Sequence, residues 1–472
     1  MAGSAFASPR SRTFRRAGLG LGLVILTMTA LEPRAAEANG QSTHLWITEH
    51  ALEHLPDGPL KELLTSHRLM LDNGTMFPDG GYPLDDPYAE IAHWEPFSGA
   101  YMDWIVAQYD FPYEGAAAEH VAFLLGMNSH GMADETFDSL YMERTILYDG
   151  DKDELDTMSD IVMMSLVGKR ETPTDWVPYD LFDMLYTDAA NYDVDVNQMK
   201  TGQSLLRVAV QAVGAGSEDP QRVQDAADRY PWGNSHLLDE NVPGAPPCEG
   251  EVIARYWQSQ WELLHERAVY RPVLQTWPRD GGSGHETDST SIDSWVSLAV
   301  SRGLDTTDFD ASRFTITSEE GQSIPFNLRV FYGMDSHVIH LKPTADFQPN
   351  TVYYVEMSAG VPTIHADDLA AWSWSFSTGD EAPPPINPAW GDGLDGSDGS
   401  DPNAEGGEET SGETAGSGTG ETSGNTGEPG ADDAAQGGSG GACACSSEPE
   451  GSIGFGLLPF ALAYGWRRRR QR

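Results

Sequence analysis

The sequence predicts a multidomain chain that is first all-α, then all-β, then disordered. Three observations carry this: histidines and aspartates at helical spacing early in the chain, alternating apolar and polar segments from Arg271, and a Gly, Ser, Thr, Glu and Asp tract from residue 381. The ranges expected are a signal peptide at 1–38, a helical domain at 39–268, a β-sandwich at 270–380, a linker at 381–442 and a terminal tag at 443–472. A length of 472 residues suits two or three domains, and a formal net charge of −45 argues against a nucleic-acid partner.

At the start, Arg10, Arg12, Arg15 and Arg16 precede an apolar run at 18–31 and the small-residue site Ala36-Glu37-Ala38. That order reads as a secretory signal peptide, because the apolar run is short for a membrane anchor and a cleavage site follows it. Cleavage after Ala38 would make Asn39 the first residue of an exported protein.

Seven of the chain's 13 histidines fall between His44 and His130. His44 stands just before an expected amphipathic helix whose core face is Ile47, Ala51, Leu52 and Leu55. Asp79 and His93 lie on a Gly- and Pro-rich stretch, MFPDGGYPLDDPYAEIAHWEPF, which predicts a loop with rigid turns. In EHVAFLLGMNSHGMADETFDSL, residues Phe123, Met127, His130, Asp134 and Asp138 recur at steps of three or four and predict one helical stripe. Residues four apart on a helix are about 5–6 Å from each other, so His130 and Asp134 can share or bridge metal ions. Alone, H-x-x-x-D more often marks a buried histidine bonded to an aspartate. Five metal-competent residues, His44, Asp79, His93, His130 and Asp134, favour a polymetal site. His50, His54, His67 and His120 are expected at the surface or in supporting roles.

These motifs resemble the zinc-dependent phospholipase C and D family. HLWI at His44, the fourteen-residue step from Asp79 to His93, and His130 with Asp134 match its order and spacing. FPD at Asp79, HW-x-PF at His93 and AFLLG-x-x-SH at His130 look closest to its glycosylphosphatidylinositol phospholipase D branch. The similarity is traceable from about residue 39 to 165. It implies a mostly helical phospholipase domain holding two or three zinc ions, with the amino and carbonyl groups of Asn39 among the ligands. Clustered divalent ions suit phosphodiester hydrolysis because they neutralise the anion and acidify water. By position, Asp79 is then both a metal ligand and the catalytic general base. No G-x-S-x-G or CxxC motif occurs, and Cys248 is alone in the globular region, so neither nucleophilic catalysis nor a disulfide scaffold is expected.

Where the family would hold a third ion with two histidines and a carboxylate, this chain has Asp138, Asp156 and Asp160. An all-carboxylate site suits calcium, magnesium or manganese better than zinc. The other reading of this region, with Asp149, Asp151, Asp153 and Glu154 beside it, is a solvated acidic loop.

Beyond it, 205–213 and 251–267 read as helices that close the bundle. From Arg271, segments at 292–300, 326–331, 338–341, 351–357 and 372–377 read as strands of a sandwich. LKPTADFQPNTVYYVEMSAGV and WSWSFSTGD resemble a bacterial Ig-like domain, which implies a spacer or weak adhesive module. The tract after 381 has too few apolar residues to offset ordering entropy and predicts a disordered acidic stalk. Cys443, Cys445, an apolar stretch at 453–466 and the arginines from Arg467 to Arg470 resemble the MYXO-CTERM type of sorting tag. As a helix that stretch would span roughly 21 Å, short of the ~30 Å needed for a transmembrane anchor.

The expectation is an exported, surface-attached, monomeric phosphodiesterase with a phospholipid or membrane-surface substrate. Two other readings are a zinc-dependent single-strand nuclease, opposed by the acidic charge and the lack of an N-terminal Trp, and an inactive adhesion protein on the same scaffold.

Overall fold

A computed structural model describes residues 39–265, 271–331, 335–365 and 367–387. The expected signal peptide, the tag with Cys443 and Cys445, and the linker beyond Asn387 lie outside the described residues.

The N-terminal region is helical: α1 (Gln41–His54), α2 (Pro59–Ser66), α3 (Arg68–Met76), α4 (Tyr88–Ala92), α5 (Glu95–Gln108) and α6 (Ala116–Thr136). There follow α7 (Glu143–Asp149), α8 (Leu155–Val167), α9 (Tyr179–Ala190), α10 (Val196–Gly216), α11 (Pro220–Arg229), α12 (Pro231–Ser235) and α13 (Pro246–Leu264). Helix α6 is the axis of the bundle. From Val121 to its end every residue is buried, and it packs against α1, α3, α5 and α13. A helix apolar on nearly all sides belongs in the middle of a bundle. Helix α13 starts earlier than its sequence pattern suggested, because Pro246 and Pro247 open the helix instead of ending a loop. Among the described residues, no helix is long and apolar enough to cross a membrane.

The C-terminal region is a sandwich of antiparallel strands. A four-stranded sheet runs in the order β1 (Val273–Trp277), β2 (Val296–Val300), β5 (Val338–Pro343), β4 (Phe326–Val330). Facing it, a three-stranded sheet runs β3 (Phe314–Ser318), β6 (Val352–Met357), β9 (Trp372–Ser377), with a small ribbon of β7 (Val361–Pro362) and β8 (Asp368–Leu369) beside it. Strands β1 and β3 escaped the sequence reading. The start of the segment expected at 292–300 is a 3₁₀ turn (Ile292–Ser294), because Ser291 Oγ accepts the Asp293 N–H at 3.2 Å and caps it.

In the larger sheet β1, β2 and most of β5 are buried on both faces, while the edge strand β4 is part-exposed. Val296, Leu298, Val300 and Leu341 meet Ile316, Val355 and Trp374 in the sandwich core. On the other face, Leu274, Trp277, Ala299 and Val338 join the core of the helical region. The sandwich is therefore docked on the bundle, which corrects the expectation of a free spacer. Ion pairs rim this junction: Arg144 with Asp293 at 2.9 Å, Arg329 with Glu143 at 2.8 Å and Arg279 with Glu251 at 2.8 Å. The linker also begins later than residue 381, since Asp280 accepts the backbone N–H groups of Ile386 and Asn387, each at distances of 2.8–3.1 Å.

Candidate metal centre

Histidine 44 lies in the first turn of α1, inside the helix and not before it as its sequence suggested. The N-cap of that helix is Gly40, which has no side chain to satisfy the first N–H groups. Asp160 of α8 does so instead: it accepts the Ser42 N–H at 3.3 Å, the Thr43 N–H at 2.7 Å and the Thr43 hydroxyl at 2.8 Å. Glycine is required at position 40, where a Cβ would lie 2.3 Å from the Asp160 Cβ.

Asp79 and His93 sit on short helical segments, not on an irregular loop. Asp79 opens a 3₁₀ turn (Pro78–Leu84) and His93 is the C-cap of α4. His93 Nδ1 donates to the Ala89 carbonyl at 2.6 Å, and His130 Nδ1 donates to the Thr75 carbonyl at 2.7 Å. Both rings are thereby turned with Nε2 toward the centre, the usual support for a metal-binding imidazole. Gly131 lets α6 press against His93: a Cβ there would be 2.1 Å from the His93 carbonyl oxygen.

The donor atoms converge. His93 Nε2 is 3.1 Å from His130 Nε2, 3.4 Å from Asp79 Oδ1 and 3.2 Å from Asp134 Oδ2. His130 Nε2 is 3.3 Å from Asp79 Oδ1 and 3.4 Å from Asp134 Oδ2. Donors on one zinc ion at about 2.0–2.2 Å stand roughly 3.3–3.6 Å apart, and these separations are close to that. The other oxygen of Asp134 lies 2.9 Å from His44 Nε2, and the His44 ring stacks on His130 at 3.9 Å. Two overlapping groups result, Asp79, His93 and His130, and His44, His130 and Asp134, all buried.

Electrostatics agree with a cation at this place. Burial would raise Asp79 and Asp134, but His130 and the neighbouring histidines outweigh it and hold both carboxyls below the ordinary value. Burial would lower His130, but the Asp134 and Asp79 charges push it up to about 9. Protons on the rings thus occupy the place of a metal ion. His44 is drawn down, by burial first and then by His130, which leaves it neutral as a ligand must be.

The sequence also offered a third, all-aspartate site. Among the described residues, Asp138, Asp156 and Asp160 form no converging group. Asp160 is engaged as the cap of α1. Asp138 is buried in a π-helical turn (Phe137–Met142) that follows α6. Asp156 is half-buried at a small cleft that is also lined by Asp79, Tyr82 and the apolar Leu206, Val210 and Val213 of α10. Enclosure, and then the charges of Asp160 and Asp79, push its carboxyl well up. Asn39 lines the same cleft and its side chain donates to Glu249 at 2.7 Å. His50, His54, His67 and His120 lie outside both groups.

Glu249 and Tyr82 were not singled out by sequence. Glu249 is fully buried on α13, and its carboxyl is pushed well up by burial and then by Asp134 and Asp138. Tyr82 lies 5.5 Å from the His93 ring and is held protonated, mainly by burial. Only the three-residue step from Asp79 marked Tyr82, whereas nothing local marked Glu249.

Fold and centre together define a class: a helical protein with paired, buried histidine–carboxylate groups that could hold metal, joined to an all-β module. Residues 271–378 match the family model described as a bacterial Ig-like domain. A 134-residue stretch is 38% identical to phosphatidylinositol-glycan-specific phospholipase D of Bos taurus, covering 26% of this chain and 16% of that protein. The Homo sapiens protein of the same name is 36% identical over 118 residues, 23% of this chain and 14% of that one. The chain thus spans about 16% of the length of the first of these relatives. A crystal structure of the bacterial S-layer protein SbsC covers 69% of this chain and 46% of its own at 11% identity, with a TM-score of 0.19 that carries no argument.

Proposed function

We propose that the chain is a zinc-dependent phosphodiester hydrolase acting on phospholipids or glycosylphosphatidylinositol-type lipids, exported and held at the cell surface. The observation that carries it is the convergence of His93 and His130 with Asp79 and Asp134 at 3.1–3.4 Å, with Asp134 reaching on to His44. When bound there, divalent ions supply neutralisation of the phosphodiester charge and acidification of water. His93 and His130 hold their lone pairs inward through their carbonyl partners, and Asp134 links the two positions. Asp79 belongs to the ligand group and also lines the cleft, so it is placed to take a proton from a water entering there. Tyr82 remains a neutral hydroxyl at the cleft and can donate to a phosphate oxygen. Leu206, Val210 and Val213 give that cleft the apolar wall that a lipid needs. The similarity to phosphatidylinositol-glycan-specific phospholipase D supports this substrate class.

The test is metal analysis of the mature protein joined to a product screen over phospholipids and glycosylated phosphoinositides. Zinc-loaded protein that releases neither diacylglycerol nor phosphatidic acid from any of them refutes the reading.

A further inference from the structure

The Ig-like sandwich reaches the metal centre from behind. Glu135 follows the ligand Asp134, and Glu95 stands two residues after the ligand His93; both carboxylates are buried. Among the described residues, their side-chain hydrogen-bond and ion-pair partners come from the sandwich. Glu135 accepts the backbone N–H of His337 at 2.7 Å, the N–H of Val338 at 2.8 Å and the hydroxyl of Ser336. Glu95 accepts the N–H of Gly303 and lies 2.9 Å from His365 Nε2. His337 joins the two, with Nε2 at 3.2 Å from Glu95 and Nδ1 at 3.3 Å from Glu135.

A buried carboxylate without partners costs several kcal/mol, so each glutamate would turn toward water if the sandwich residues were withdrawn. Glu135 cannot turn without moving the end of α6 that carries Asp134. Glu95 opens α5 directly after the segment that carries His93. The two ligands concerned are 3.2 Å apart, and Gly131 already holds α6 against the His93 carbonyl. Their spacing is thus fixed from two sides, one of which belongs to the other domain.

We propose that the sandwich is a positioning element of the metal centre, with His337 as the residue that sets His93 against Asp134 through Glu95 and Glu135. This rests on the metal-centre reading above, and the module implied by sequence to be a spacer becomes part of the site.

Cobalt(II) is the probe, because its visible absorption reads ligand geometry. The full mature chain is compared as wild type, His337→Ala, His337→Gln and Arg279→Ala. The last breaks the Arg279–Glu251 pair at the same domain junction and is a control for junction stability alone. His337→Ala should weaken cobalt binding about 10–100-fold and change the absorption band, while His337→Gln, which keeps one donor, recovers part of both. Arg279→Ala should leave affinity and spectrum as in wild type. If His337→Ala does not fold, Ser336→Ala, which removes one donor to Glu135, is read in its place and should shift the same spectrum. A wild-type spectrum and affinity in the folded His337 or Ser336 variant overturns the proposal, as does an equal loss in Arg279→Ala. Wild type that binds no cobalt overturns the metal-centre reading, and this proposal with it.

Discussion

His93 Nε2 and His130 Nε2 face each other across 3.1 Å, while the Nδ1 of each ring donates to a backbone carbonyl. In their neutral forms the two rings therefore point bare lone pairs at each other, and in their charged forms they repel. Asp79 and Asp134 close the same space with negative charge. A divalent cation resolves both conflicts at once.

Asp134 reaches both groups, with Oδ2 toward His93 and His130 and Oδ1 toward His44, so Asp134→Ala should empty them together. Zinc content measured by mass spectrometry should fall to background. Hydrolysis should fall by about 10³-fold, equivalent to about 4 kcal/mol of transition-state stabilisation. Retention of one tightly held zinc would show that the two positions are independent.

Zinc uptake should release protons. His130 is held up to about 9, so at neutral pH it is protonated and must lose that proton to bind metal. Affinity should rise with pH and level off above about 9. Calorimetric titrations in buffers of different ionisation enthalpy count the protons, and a binding heat independent of buffer would contradict this.

Asp160→Ala should cost about 1 kcal/mol of stability through loss of the α1 cap, with Asp160→Asn losing less. Neither variant should change the metal count, because the side chain is engaged with Ser42 and Thr43. Denaturant unfolding and metal analysis separate the two effects. A missing ion in Asp160→Asn would restore a role for Asp160 as a ligand.

The domain junction should be sensitive to alkali. Burial opposes the charge on His337, but Glu135 and Glu95 outweigh it and raise its pKa from 6.5 to about 10. A raised histidine stabilises fully below its unfolded value and loses that contribution as pH rises through its folded value. The metal-free protein should therefore lose melting temperature between about pH 6.5 and 10, and His337→Gln should lose less over that window. Parallel curves for the two proteins would remove His337 as the cause.

Gly131→Ala should displace His93, since the added carbon would stand 2.1 Å from its carbonyl oxygen. Zinc affinity, read by chelator competition, should drop while helix content measured by circular dichroism stays near wild type. Wild-type affinity would mean that the α6 contact does not set the position of His93.

Helix and strand content were legible where the period was regular. The stripe through Phe123, Met127, His130 and Asp134 reads directly from α6, and most of the strand segments fall on observed strands. Strand β1 was missed because it is buried on both faces and shows no alternation. The π-helical turn that holds Asp138 left no mark in a four-residue spacing. Glu249 was invisible for another reason: it lies 210 residues from Asn39, its hydrogen-bond partner.

The sequence by itself determined the ligand types, their order and the two secondary-structure periods, since these depend on residues within a few positions of each other. It also placed His130 and Asp134 on one helix face. Tertiary structure decided which carboxylates meet the histidines and which do other work. Asp160 is drawn to the open N-terminus of α1 because unsatisfied N–H groups there attract an anion. Likewise Glu95 and Glu135 face the sandwich, because buried carboxylates need donors and only His337 and its neighbouring loops supply them among the described residues. Such choices depend on contacts across hundreds of residues, and no local spacing encodes them.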